Sequence, residues 1–266
     1  TSSPAVEMVF DATQAVAGAS GAKTFSNDIA AGYWMAWHIA LTPDTGAAYS
    51  PNISDSAVVA DSVAVSVRSD GWETIQHIGT TNWATTAGTE VSFAMPAGAE
   101  EGDLLVAFIN SEQASTGRTF TFGQDNSGWT SIVNDFSSGR AVQASVWWNT
   151  IDGTDITPST TITATADVSD EYAGVLMVFR GVNTTTPFSS TTTAGPGTSG
   201  DPAADAKTGL NAWDWVLFGV GSAYGTTWTP PANWQEIADH RSGTGTNNIS
   251  LAVSKRNGVA STDADV

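Results

Sequence analysis

The chain has no cysteine, few charged residues and no long apolar run. Without cysteine there are no disulfides, so stability must come from packing or from assembly. Charged residues make up 14% of the 266 residues, against about 25% in a typical globular protein. The longest apolar run, residues 174–179, is far shorter than the roughly 20 residues that span a bilayer, so we expect no membrane insertion.

Basic residues are also scarce. The chain carries 27 acidic and 9 basic residues, which gives a net charge of −18. A surface of this sign repels phosphate backbones and anionic lipids. We therefore expect no nucleic-acid partner.

What the chain has in abundance indicates β-structure. The hydrophobic fraction is an ordinary 41%, with 11 tryptophans and 10 phenylalanines set among many Ser, Thr and Gly residues. Short apolar or alternating runs separated by Gly and Pro clusters are typical of strands joined by turns. We predict an all-β protein made of tandem antiparallel β-sandwich domains with a jelly-roll-like arrangement.

An internal repeat organises the chain. A turn and apolar strand at 101–110 have a second copy at 211–220. Each copy leads to a tryptophan with an isoleucine three residues later, Trp129 with Ile132 and Trp234 with Ile237, and then to an alternating strand. Because both copies place the tryptophan identically, we expect Trp129 and Trp234 to pack in the core.

The texture of the sequence predicts five segments. Within the segment at 72–190, the candidate strands are Trp72–Ile78, Glu90–Met95, Asp103–Asn110, Arg118–Phe122, Thr130–Asn134, Ala141–Thr150, Ser159–Ala166 and Gly174–Arg180. The expected segments are N-terminal strands at 1–50, a connector at 51–71, a complete β-sandwich at 72–190, a Gly/Pro/Thr-rich linker at 191–206, and a second, incomplete repeat at 207–266.

The N-terminal segment contains a strand that resembles the closing strand of the repeat. Residues 32–41 are apolar on both faces and resemble 171–182 in character. We therefore predict that this strand completes the truncated second repeat, either in the same chain or in a neighbour, because an open sheet edge needs a cover. The side chains expected to form this assembly strand are Tyr33, Trp34, Trp37, Ile39 and Leu41.

No motif for catalysis is present in the sequence. The three histidines, His38, His77 and His240, lack the neighbours of a zinc site, and neither a Gly-x-Ser-x-Gly elbow nor a phosphate loop occurs. The acidic pair Asp170-Glu171 is expected in a solvated turn. We predict no enzyme and no dedicated metal centre. Calcium is the cofactor that loop oxygens could still hold, at Asp152, Asp155, Asp125 and Asn126.

Two tryptophans suggest carbohydrate binding. Trp148 follows another tryptophan on a predicted strand, so that one of the two rings points outward, and Trp228 lies in a loop beside two prolines. Exposed rings stack on sugars, whereas buried rings serve core packing or subunit contacts. Both interpretations stay open for Trp148 and Trp228.

Several segments together resemble a β-sandwich module of tailed-phage structural proteins. They are 96–108, 127–132, 142–149, 178–182 and 186–188. The resemblance implies a non-enzymatic virion role as a surface fibre, appendage or capsid decoration, with other subunits as partners and an extracellular, virion-surface location. The alternatives are a secreted or cell-surface carbohydrate-binding module with glycan partners, and an extracellular filament subunit joined by strand exchange.

Overall fold

Every regular element that the structure describes is a β-strand. The computed structural model describes residues 23–24, 26–27, 34–42, 75–112, 117–123, 128–137, 142–197, 203–204, 214–244 and 248–257. The strands in these ranges are β1 Lys23–Thr24, β2 Ser26–Asn27, β3 Trp34–Leu41, β4 Gln76–Phe93, β5 Leu104–Glu112, β6 Phe120–Phe122, β7 Thr130–Ser137, β8 Val142–Thr150, β9 Ile162–Arg180, β10 Phe188–Gly197, β11 Ala203–Ala204, β12 Trp215–Ser222, β13 Trp228–Thr229, β14 Gln235–Arg241 and β15 Ser250–Asn257.

The first large sheet has the strand order β4-β9-β5-β8-β7, and β6 pairs with the N-terminal half of β9. All of its ladders are antiparallel. In the central strand β5, every residue from Leu104 to Ser111 is buried. Both faces of this strand are therefore covered, which explains why its sequence is a nearly continuous apolar run.

An ion pair between a buried carboxylate and a half-buried arginine joins the start of β5 to the end of β9. The Nε and Nη2 atoms of Arg180 each lie 2.9 Å from a carboxylate oxygen of Asp103, and Nη2 also donates to the Gly98 carbonyl. Asp103 is only 2% exposed. A two-point contact of this kind fixes geometry as well as charge. The ion pair thus connects segment 101–110, with which the internal repeat begins, to segment 178–182, which is part of the resemblance described above.

The long strands β4 and β9 bend so that one half of each lies over the outer face of the first sheet. Their ladder shifts register between Thr85 and Glu90, where the bend occurs. A methyl group on Gly174 would lie 2.6 Å from Cζ of Phe93, although Gly174 pairs with Trp83, ten residues earlier on β4. Gly174 and Phe93 come together only if the two-stranded ribbon of β4 and β9 folds back on itself. The absent side chain of Gly174 leaves space for the Phe93 ring.

The second large sheet repeats the strand order of the first. Its order is β10-β3-β12-β15-β14, so that β10, β3, β12, β15 and β14 correspond to β4, β9, β5, β8 and β7. The register agrees at the residue level: Ile132 and Ile237 each lie in the register shift of their ladder, at β7 and at β14. The isoleucine of the repeated tryptophan motif is thus the bulge residue of both copies.

The two large sheets pack face to face and share one core. Strand β10 lies opposite β7, β3 opposite β8, β12 opposite β5 and β8, β15 opposite β9, and β14 opposite β4 and β9. Under the correspondence above, most of these contacts are related by exchange of the two sheets: β10–β7 with β14–β4, β3–β8 with β15–β9, and β12–β5 with itself, whereas the β12–β8 and β14–β9 contacts have no counterpart of similar extent. The interface therefore has the pattern of a two-fold axis between two copies of one unit, like the isologous interface of a dimer.

The all-β antiparallel sandwich predicted from the sequence is confirmed. The arrangement differs from two sandwiches in succession, because the strands of 75–180 and those of 188–257 share one core between the two sheets. The segment 191–206 also differs from a linker, since most of its first half belongs to β10. That strand is at the edge of its sheet, and Pro196 lies in the register shift of its ladder with β3, between Ala194 and Gly197; edges and bulges are the places in a sheet that tolerate proline. The connector at 51–71 lies outside the described residues.

Asn110 links the two sheets near the centre of their interface. Its Nδ2 donates to the carbonyl oxygens of Ser222 at 2.9 Å and Ser250 at 3.0 Å, and the side chain is fully buried. The register position that corresponds to Asn110 in the second sheet is Gly221. A methyl group there would lie 2.5 Å from Cγ of Asn110. The glycine is required because the amide occupies the space above it.

We expect Gly221→Ala to destabilise the protein by about 1–3 kcal/mol, because the new methyl group overlaps the amide. Adding Asn110→Ala removes the obstacle, so the double variant should lose less stability than the sum of the two single losses. Urea unfolding of the four proteins measures this coupling.

Gly88→Ala is the matched control, since its nearest contact, at 3.5 Å, is ordinary; it should change stability by less than about 0.5 kcal/mol. Additive losses in the Asn110 and Gly221 variants would contradict the packing described.

Candidate assembly site

Strand β3 lies in the middle of the second sheet, between β10 and β12. It pairs with β12 at every position, from Trp34 opposite Ser222 to Leu41 opposite Trp215. On its other side it pairs with β10 from Phe188 to Gly197, with two register shifts. A strand from the N-terminal part of the chain thus joins strands more than 140 positions later in the sequence.

The C-terminal end of β3 is buried on both faces. Ile39 and Leu41 belong to the core between the sheets, whereas Ala40 belongs to a cluster on the outer face of the second sheet. That outer cluster contains Ala40, Val216, Phe218, Val220, Trp228, Trp234 and Ala252. Burial on both sides is the reason why this strand lacks polar alternation.

The position of β3 in the second sheet is that of β9 in the first. Strand β9 pairs with β5 from Phe179 opposite Leu104, and β3 pairs with β12 from Leu41 opposite Trp215. We call this position, between β10 and β12, the closing-strand slot. In the first sheet the corresponding position is held by β9, which follows β8 in the chain. In the second sheet it is held by β3, which precedes every other strand of that sheet in the chain.

The residues predicted for the assembly strand are therefore brought to one element. Ile39 and Leu41 are fully buried in the slot. Trp34 and Trp37 lie on β3, where their pairing partners are Ser222 and Gly219 of β12. Tyr33 lies outside the described residues. Of the two arrangements left open by the sequence, this structure has the strand in its own chain.

Trp148 and Trp228 both pack against other side chains. Trp148 packs edge-on against Phe188 between the two sheets, with ring centroids 5.7 Å apart. Trp228 is 4% exposed, and its indole N–H donates to the Ser250 hydroxyl at 3.1 Å. Of the two interpretations that the sequence left open, core packing applies to Trp228, which is buried, whereas Trp148 is half-buried with its ring against Phe188. Among the residues whose side chains the structure describes, Val168 is the one large apolar residue that is exposed.

The tryptophans of the repeated motif are in the core, as predicted. Trp129 is 6% and Trp234 is 7% exposed. Trp129 stacks on Phe122 with ring centroids 4.1 Å apart, and Trp234 meets Phe218 edge-on at 6.0 Å. Each ring therefore covers the outer face of its own sheet.

His77 belongs to an aromatic and cationic row between the sheets. Its ring lies 5.4 Å from Phe179, which meets Trp215 at 6.4 Å, and the Lys255 Nζ lies 3.7 Å above the Trp215 ring. Burial, and then the positive charge of Lys255, lower the pKa of His77. Burial also lowers the pKa of Lys255. By register, Lys255 corresponds to Trp148 and His77 corresponds to Phe188. The matching positions at the other end of the interface therefore hold the Trp148–Phe188 pair.

The oxygen-rich loop near Asp152 is held by its own backbone. The Asp152 carboxylate accepts N–H groups from Thr154 at 2.8 Å and Ile156 at 3.0 Å, which lowers its pKa although the side chain is exposed. Asp125 and Asn126 lie outside the described residues. Within the described ranges, no group of three or more His, Cys, Asp or Glu side chains is placed to hold a metal ion.

Glu171 contacts the second sheet rather than solvent. It is 7% exposed within β9, and it accepts the hydroxyl of Ser242, which follows β14. Burial raises its pKa, and the Ser242 hydroxyl opposes that rise. Nearby, Asp170 pairs with Arg118. The expectation of a solvated acidic turn is corrected for Asp170-Glu171, because β9 continues through it at the bend.

Glu112 lies at the same end of the first sheet. Burial, followed by the negative charges of Glu171 and Asp170, raises its pKa. A carboxyl group whose pKa is raised by folding favours the folded state below its unfolded pKa of 4.5, and this advantage is lost as the pH rises. The Glu112 carboxyl therefore favours the folded state more in acid than at neutral pH.

None of the three comparisons with known proteins, against family models, curated sequences and solved structures, finds a match to this chain. No helix in the ranges that the structure describes is long and apolar enough to cross a membrane.

We expect Glu112→Gln to stabilise the protein at pH 7, because the substitution removes an ionised carboxylate that burial and two neighbours penalise. The gain should shrink as the pH falls and should vanish below about pH 4, where the native carboxyl is protonated in both states. Thermal unfolding over a pH range that extends from neutral pH to about one unit below pH 4 measures the difference.

Glu90→Gln, which removes an exposed carboxylate from the same sheet, controls for the general loss of negative charge. An equal effect of the two substitutions at pH 7 would contradict the account of Glu112.

Proposed function

We propose that this protein is a non-enzymatic structural subunit of a tailed-phage virion surface, of the fibre, appendage or capsid-decoration kind, and that it acts as an oligomer. The observation that carries the assembly role is the closing-strand slot, which is filled by a strand from a distant part of the chain. Sheets completed by a remote strand are a recurring means of joining β-proteins. The virion assignment is supported by the resemblance of the repeat motifs to phage structural modules.

The charge of the chain supports an exposed location and protein partners. A net charge of −18 favours solubility and disfavours binding to nucleic acid. The proposed partners are other subunits of the same kind or of the same particle, and the proposed location is the extracellular surface of the virion.

An extracellular filament subunit joined by strand exchange is the second candidate. The position of β3 favours it, because a strand that enters the sheet from the N-terminal side can complete the sheet of a neighbouring subunit. A carbohydrate-binding role has weaker support, since the two tryptophans expected to carry it, Trp148 and Trp228, pack against other side chains.

The assembly state of the full chain in solution tests the proposal. Light scattering over a range of protein concentrations, with negative-stain microscopy of the same samples, should show a discrete oligomer of closed symmetry. Long filaments would favour the second candidate. A monomer at every concentration would contradict both structural roles, and glycan arrays would then test the carbohydrate-binding alternative.

A further inference from the structure

We propose that the closing-strand slot also accepts β3 from a second copy of this chain, so that two chains exchange β3 and form a dimer. The proposal rests on the assembly role proposed above and names the contact that produces it. The occupant is residues 34–41 of the other copy, in the same antiparallel register that β3 has within its own chain.

The contacts that hold β3 do not depend on how it is connected. They are the backbone ladders with β10 and β12, and the burial of Ile39, Ala40 and Leu41. No ladder joins β3 to β4, the next long strand in the described part of the chain. An identical strand from a second copy would therefore make the same contacts at the same positions.

An empty slot is unfavourable. Because β3 lies between β10 and β12, its withdrawal divides the second sheet and leaves unpaired backbone groups on both neighbours. It also removes Ile39 and Leu41 from the core that the two sheets share. A chain whose own β3 is withdrawn is thus a strong acceptor for the β3 of another chain.

The connection between β3 and the first sheet is long enough for exchange. Positions 42–75 lie between β3 and β4, and a chain of that length spans roughly 110 Å when fully extended. Because loop closure weakens only slowly with length, the chain's own β3 is favoured in dilute solution and a neighbour's competes as subunits become crowded. Exchange should therefore depend on concentration.

The absence of native cysteine allows a direct test. Ala40 and Val216 lie opposite each other across β3 and β12, within the range of Cα separations that a disulfide bridges. We suggest mixing an Ala40→Cys chain with a Val216→Cys chain, unfolding and refolding them together at several concentrations, and then oxidising them. Exchange predicts a disulfide-linked heterodimer, identified by mass spectrometry of the linked peptides.

By mass action, a tenfold rise in concentration should raise the ratio of linked dimer to monomer about tenfold while the dimer is the minor species. The control mixture is a Val220→Cys chain with an Ala252→Cys chain. These positions face each other across β12 and β15, in the same sheet, and should form little heterodimer at any concentration.

A chain that carries both Ala40→Cys and Val216→Cys checks the register. At low concentration it should close an internal disulfide and stay monomeric on a non-reducing gel. If it does so while the mixed chains give no more heterodimer than the control, exchange is overturned. Failure of the internal disulfide would overturn it as well, because β3 would not lie in the slot in this register.

The outcomes separate exchange from the virion role. Discrete oligomers in light scattering, without a linked heterodimer of the Ala40→Cys and Val216→Cys chains, would leave the assembly role in place and remove strand exchange as its means. Linked heterodimers from the mixed chains, with only monomers of the native chain in light scattering at every concentration, would support exchange and count against the virion role.

Discussion

The pairing of β3 with β12 is the interaction on which the rest of the structure depends. It makes the second sheet continuous, and only a continuous sheet presents an unbroken apolar face to the first sheet. Each backbone hydrogen bond contributes little by itself. The loss of the whole strand, however, would expose two new edges together with the core residues Ile39 and Leu41.

The shared core explains how two copies of one unit form a single sandwich. Most of the contacts between the sheets follow the pattern of a two-fold axis, yet the residues differ at matching positions. Near the centre, Asn110 in one sheet corresponds to Gly221 in the other, and the amide fills the space that the glycine leaves. Near the ends, Trp148 corresponds to Lys255 by register. Because a single chain carries both copies, each copy packs against the other and not against its own kind. Matching positions across the interface can therefore hold different residues.

The local features of the fold could be predicted from the sequence, and the features that depend on distant contacts could not. The strands are local apolar or alternating runs, and the isoleucine follows the tryptophan by three residues in both copies, so that local patterns are enough to find them. By contrast, whether Trp148 points to solvent depends on the second sheet, which the alternation of one strand does not specify. Glu171 is buried because β9 continues through its bend and meets Ser242, a contact 71 positions away. The residues of β10 are rich in Gly and Pro, which argues against a strand, yet an edge position accommodates them.

Native-state hydrogen exchange of the β3 amides tests the central claim most directly. If β3 is the closing strand of the second sheet, peptides that cover residues 34–41 should be protected to the same degree as those of β12 and should open together with it. If β3 exchanges as fast as unpaired chain while β12 and β15 stay protected, the second sheet is completed in some other way and the account fails.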